Sequence, residues 1–282
     1  EVMTADTLQV DPSRSRRVHR KSTLTRASGL GLGLALVWFS LLVLIPLCLV
    51  IINAAEGGWE TLWSVLQNPQ TAAALRLTVL ESIAVTAVNV VMGTLIAWLL
   101  ARDQFWGKRA LEVVIDIPFA LPTIVAGLVL LSLYGPTSPL GVNVANTQWS
   151  VFLALLFVTV PFVVRTVEPV LIELDLETEQ AAASLGASRQ TTFRRIILPA
   201  LAPAITAGAA LSFARGISEY GSLVLLSGNL PMKTEVASVR ILTYIENGYE
   251  AAAASVAVIM LIVALTVIAL LELISRKVAS RG

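Results

Sequence analysis

The sequence predicts an all-α, polytopic membrane protein of six transmembrane helices with both termini in the cytoplasm, and three observations carry that prediction. The first is composition: of 282 residues, 56% are hydrophobic and only 14% charged, with a mean hydropathy of +0.80. Such values lie outside the range of soluble globular domains. The second is periodic segmentation, with apolar stretches of bilayer length at 28–52, 77–100, 111–134, 149–169, 200–226 and 251–273. The third is where the positive charge falls. Arg102, Lys108 and Arg109 follow the second stretch, Arg189, Arg194 and Arg195 precede the fifth, and Arg276, Lys277 and Arg281 close the chain, whereas the opposite connections hold only Arg76, Lys233 and Arg240. Lys and Arg accumulate on the cytoplasmic face, so that face holds both termini and the long loop before the fifth span.

Residues 1–27 form a basic cytoplasmic tail with Arg14, Arg16, Arg17, Arg20, Lys21 and Arg26. The apolar run that follows is too long for a signal-peptide core and reads as a retained anchor. Beside a membrane helix, a basic cluster sets topology rather than binding nucleic acid. The transmembrane domain occupies 28–275. In its second span, Glu81 lies near the outer end, and Asn89 at mid-span reads as an interhelical hydrogen bond. Pro118 and Pro122 interrupt the third span and Pro161 the fourth. Each removes a backbone hydrogen bond and can kink its helix, either to line a path or simply to fit the bundle.

The polar stretch 175–199 stands apart. Asp175, Glu177 and Glu179 oppose the positive end of a short helix, Ala181, Ala182 and Ala183 lead to a turn at Gly186, and Ser188 caps a second helix that stops at Pro199. Phe193, Ile196 and Ile197 share a face of that second helix, offset from its arginines. Crossing a bilayer does not require such a helix-turn-helix, so it reads as a docking surface for an aqueous partner. In the fifth span, Arg215 and Glu219 are four residues apart amid Ser212, Gly216, Ser218 and Gly221. Charges inside a membrane are expensive, and these read either as path-lining or as an ion pair tying two helices together. A cytoplasmic tail at 276–282 ends the chain.

Chemistry is bounded by absences in the sequence. No phosphate-binding Gly-x-x-x-x-Gly-Lys-Ser/Thr loop, His-Glu-x-x-His or Gly-x-Ser-x-Gly occurs, and Cys48 and His19 are the sole cysteine and histidine. No catalytic, metal or cofactor site is expected in this chain, and if transport is driven by ATP, another chain hydrolyses it.

The run Gln180-Ala-Ala-x-x-x-Gly186, nine residues, then Ile196-x-Leu198-Pro199 resembles the EAA loop of ABC importer permeases. Over roughly 37–246 the chain resembles the T-type permease subunit family of sulfate/thiosulfate importers. The runs from Asp116 to Gly127, Leu133 to Gly141, Ile217 to Ser222 and Lys233 to Ser238 carry that likeness. The W-type sulfate permeases and the molybdate permeases are related. The resemblance implies the MetI-like fold of type I importers, in the bacterial inner membrane. It also implies a heterodimer with a W-type permease, two ATPase subunits that bind ATP and Mg, and a periplasmic or lipid-anchored sulfate-binding protein. Glu179, Gln180, Ala181, Ala182, Gly186, Ile196, Leu198 and Pro199 would form the contact with the ATPase, and Arg215, Ser218, Glu219 and Ser212 the path. Gln180 stands where the family has glutamate, so either adjacent Glu179 substitutes or the acidic contact is weaker. The alternatives are a molybdate or tungstate permease and, in other classes, an ion-coupled anion transporter or a membrane scaffold.

Overall fold

The computed structural model describes residues 26–279, and every element among them is helical. The basic cluster from Arg14 to Lys21, with His19, and Arg281 in the C-terminal tail lie outside the described residues. The chain divides into two units, one ending at Cys48 and the other beginning at Leu49. The first apolar helix, α1 (Ser28–Glu56), crosses that division. It contains a π-turn at Ser40–Leu44, closed by a hydrogen bond from Ile45 N–H to Ser40 O, immediately before Pro46. A proline ring collides with the carbonyl four residues back in regular α-helix, and a wider turn relieves the collision.

The second unit continues with α2 (Gly58–Gln67), α3 (Pro69–Arg102), α4 (Lys108–Ala120), α5 (Thr123–Tyr134), α6 (Gln148–Glu173) and α7 (Leu176–Ser184). Then come α8 (Arg189–Ile217), α9 (Gly221–Leu226), α10 (Ala237–Glu246) and α11 (Glu250–Ala279). Five helices are long and apolar enough to cross a membrane, and a sixth span results if α4 and α5 count as one. Helix α3 has 34 residues, about 51 Å at 1.5 Å per residue, so it overshoots a hydrocarbon core of about 30 Å. Asn68 starts it: the side-chain oxygen accepts from Gln70 N–H and Thr71 N–H, and Pro69 fills the first helical position.

Three of the expected boundaries are corrected. The segment 111–134 is two helices bent by 120° rather than one continuous helix. Pro122 forces its predecessor Leu121 into extended conformation, φ −87° and ψ 134°, so the chain turns there, while Pro118 sits inside unbroken α4. The fourth span is uninterrupted, since α6 runs straight through Pro161 and also Pro169. The fifth span is displaced toward the N-terminus: α8 begins at Arg189 and ends at Ile217, and 221–226 belong to α9. Pro199 therefore does not stop a helix. Another π-turn, Phe193–Ile197, lets Leu198 N–H bond to Phe193 O and admits Pro199 without a break. Arg76 and Arg240, expected in outer connections, lie in α3 and α10, where Arg240 is buried against the Tyr244 ring and donates to Thr71 Oγ1.

In lipid, apolar surface alone does not drive helices together, so close backbone approach and buried hydrogen bonds decide the packing. Helices α3, α6 and α8 converge on Val163, which is fully buried. Gly93 of α3 and Gly208 of α8 both face it: a Cβ on Gly93 would lie 2.9 Å from Val163 Cβ, and one on Gly208 2.9 Å from Val163 Cα. Asn89 of α3 ties the same helices, donating through Nδ2 to Thr159 Oγ1 (2.7 Å) and Ser212 Oγ (3.1 Å). Around this seam lie three apolar clusters. One, at the Arg102 end, joins Ala97 and Leu100 to Ile115, Leu171, Ile197 and Leu201. A second packs Leu130 of α5 and Leu155 of α6 against Leu223 and Leu226 of α9, and the third holds Phe213 of α8 against Val256 and Met260 of α11.

Candidate functional site

The polar stretch forms the helix-turn-helix anticipated from its residues. Asp175 caps α7, its side chain accepting from Glu177 N–H at 3.0 Å. Glu177 and Glu179 occupy the first turn, where the helix dipole favours carboxylates. At the other end, Gly186 adopts φ +81° and Ala187 N–H reaches back to Ala182 O, with Gly186 N–H on Ala183 O. The left-handed residue and the two reversed bonds satisfy carbonyls that the helix end would leave bare. Ser188 then caps α8 through Thr191 N–H, as its position predicts.

No residue of α7 is buried. Gln180, Ala181, Gly186 and Leu198 are exposed, Ala182, Ile196 and Pro199 are half-buried, and Leu185 is 89% exposed. Glu179 turns inward instead. Its Oε1 accepts from Arg102 Nη2 at 2.6 Å at the end of α3. Arg102 also lies over the Trp98 ring, 5.8 Å from its centre, and Trp98 meets Phe193 edge-on at 6.1 Å. The last turn of α3 thus touches both halves of the helix-turn-helix. Beside it is an open cleft of 730 Å³ lined by Trp98, Arg102, Leu174, Asp175 and Glu179.

The four path candidates separate. Arg215 and Glu219 form an ion pair at 2.5 Å, but α8 ends between them, at Ile217. The Glu219 side chain is fully buried, and its Oε1 accepts from both the N–H and the hydroxyl of Ser222 at 2.9 Å. That carboxylate holds the first turn of α9. Ser238 donates to Glu219 O at 2.7 Å, binding the approach to α10 as well. Ser218 is exposed, and its hydroxyl donates to Arg215 O. Ser212 is buried one turn below, in the bond with Asn89.

A second ionic cluster escaped the sequence reading. Arg165 of α6 grips Asp116 of α4 through Nε–Oδ1 (2.8 Å) and Nη2–Oδ2 (2.7 Å), and Glu168 through Nη1–Oε2 (2.7 Å). Its Nη2 also reaches Glu112 O at 3.3 Å. The fork of the guanidinium matches the Asp116 carboxylate and fixes α4, the arm before the bend, to α6. The available signal was three charges, Asp116, Arg165 and Glu168, inside segments read as apolar spans, where each is costly unless paired.

Comparison with known proteins places this geometry. The family of binding-protein-dependent transport system inner membrane components matches residues 89–280. A sulfate transport system permease protein CysT from Salmonella typhimurium is 41% identical over 239 residues, covering 82% of this chain and 86% of that protein. A CysT from Synechocystis sp. is 38% identical over 248 residues, covering 86% and 87%. The crystal structure of a bacterial alginate ABC transporter in complex with an alginate pentasaccharide-bound periplasmic protein shares the fold. Its TM-score is 0.71 at 16% identity, over 89% of this chain and 94% of that one. The apolar helices and these relatives together make the chain a multi-pass inner-membrane protein, and it belongs to the family of binding-protein-dependent transport system inner membrane components.

Proposed function

We propose that this chain is the T-type permease subunit of an ATP-driven importer of sulfate and thiosulfate. The observation that carries the coupling half of this reading is α7 and the start of α8: a capped, unburied polar helix with an exposed Leu185, joined through a glycine turn to the first residues of a transmembrane helix. Such an element presents itself to an aqueous partner and is covalently continuous with α6 and α8. The anion follows from the relatives at 38–41% identity, which are named sulfate transport system permeases.

In this reading a W-type permease completes a heterodimer, two ATPase subunits bind ATP and Mg, and a periplasmic or lipid-anchored protein delivers sulfate. The segment 175–199 seats in a groove of an ATPase subunit through Gln180, Ala181, Ala182, Gly186, Ile196, Leu198 and Pro199. Closure of the two ATPase subunits moves the permease helices from inward-open to outward-open. The anion passes between the two permeases, with Ser218 and the accessible part of Arg215 as candidate path groups. Selectivity resides mainly in the binding protein, and the permease path is polar without holding the dianion tightly.

The test is uptake in vesicles containing the assembled importer. ATP-dependent sulfate uptake that needs the binding protein is expected. Molybdate uptake without sulfate uptake, after exchange of the binding protein, would overturn the substrate. Uptake that persists without the ATPase and collapses with ionophores would overturn the class.

Gly186 provides a test within the chain. A Cβ there meets nothing within 4 Å, so the demand is on backbone conformation, φ +81°, rather than on space within this chain. A β-branched residue held in that region costs roughly 1–3 kcal/mol, enough to reshape an exposed turn. Gly186→Val is expected to leave the protein inserted while ATP hydrolysis no longer drives transport. Normal sulfate uptake by Gly186→Val would refute that role.

A further inference from the structure

We propose that Arg102 is a positioning residue that makes α3 respond to the docked partner, and that Glu179 is the acidic group it holds rather than a contact to the ATPase. The inference rests on the reading of α7 as the docking helix.

Among the described residues, Glu179 is the sole residue of α7 whose side chain bonds to a different helix. The side chains of Arg102 and Glu179 are 13% and 23% exposed, so the pair is largely shielded from solvent even though α7 itself has no buried residue. Placement strengthens it. Arg102 stands in the last turn of α3 and Glu179 in the first turn of α7. The cation therefore sits at the negative end of its helix and the anion at the positive end of its own. The neighbouring Gln180 is exposed and uncharged, leaving the outward position to a neutral amide.

The chain itself links α7 to α6 and, through Gly186, to α8. From α7 itself, the Arg102–Glu179 pair brings in α3, the remaining member of the group that converges on Val163. Trp98, one turn earlier, makes the parallel contact to Phe193 beyond the glycine turn. A displacement of the docking element thus reaches α3 at two points four residues apart, one ionic and one aromatic. Among the described residues, the buried Nε of Arg102 has no hydrogen-bond partner. The ionic point is therefore a single charge-assisted bond rather than a bidentate clamp.

The experiment uses the importer assembled with its second permease, ATPase and binding protein in proteoliposomes. ATP hydrolysed per sulfate imported is measured for Arg102→Gln, Glu179→Gln and the exchange Arg102→Glu with Glu179→Arg. In parallel, Gln180→Cys in a Cys48→Ser background is cross-linked to the ATPase. The single changes are expected to raise the ratio about tenfold, the loss of one charge-assisted hydrogen bond, while the cross-link at position 180 persists. The exchange is expected to recover part of the coupling, because the pair reforms but each charge then opposes its helix dipole. An unchanged ratio in both single variants, or a complex that falls apart instead of uncoupling, would overturn the proposal. Failure of Gln180→Cys to cross-link in an otherwise unaltered importer would instead overturn the docking reading on which it depends.

Discussion

Gly208→Val is expected to prevent the bundle from closing. Gly208 lies where α8 crosses α6, and even one added carbon would stand 2.9 Å from Val163 Cα and would also meet Thr166 Oγ1. The first obstacle is backbone, which cannot rotate away. Val163 cannot shift toward α3 either, because Gly93 on that side already stands too close to admit even a Cβ. Overpacking a well-filled interior costs about 1–3 kcal/mol where side chains can yield, and here the upper end or more applies. Close approach between small residues is also a main source of helix association in lipid, so the same change removes attraction as it adds repulsion. The measurement is the midpoint of thermal unfolding in detergent, with Gly208→Ala falling between Gly208→Val and the unaltered protein. Equal midpoints for all three would show that the α6–α8 seam is looser than these distances.

Arg215→Met is expected to lower stability far more than the double change Arg215→Met with Glu219→Leu. In the single variant the Glu219 carboxylate stays fully buried and loses its cation, keeping only the two Ser222 donors. Breaking a buried pair by removing one partner costs about 3–5 kcal/mol, and the 28% exposure of Arg215 places the expected loss at the lower end. Removing both charges eliminates the stranded carboxylate, so the double variant is expected to regain roughly 1–3 kcal/mol relative to the sum of the singles. Glu219→Gln is expected to lie between, since an amide oxygen still accepts from Ser222. Denaturation of the purified complex gives the stabilities, and uptake per assembled complex separates transport from assembly. A large uptake defect with unchanged stability would assign Arg215 to the path instead.

The two variants probe features that differed greatly in how far residues alone revealed them. The cap at Ser188, the carboxylates at the start of α7 and the turn at Gly186 were legible because each depends on a residue and its neighbours within one turn. Long apolar runs and the placement of Arg and Lys were legible for a similar reason: bilayer thickness and topology act on the chain locally. Proline was not. Pro122 turns the chain by 120°, while Pro161 and Pro199 lie in helices that continue. The ring is the same in each case. Before Pro199 the turn widens at Phe193–Ile197, whereas α6 continues through Pro161 without such a turn.

The charged groups mark the same division. Composition, hydropathy and the helix-turn-helix residues were sufficient for an all-α membrane protein with an exposed polar helix-turn-helix, because those properties are summed along the chain or confined to a few residues. Which charge meets which was settled by packing. Arg102 finds Glu179 77 positions away, and Arg165 finds Asp116 49 positions away, across helices whose relative rotation no local pattern encodes. In a low-dielectric interior a charge must have a partner, but the requirement does not name it. The convergence of α3, α6 and α8 at Gly93, Gly208 and Asn89 places Arg102 and Arg165, and α7 and α4 packed beside them supply Glu179 and Asp116.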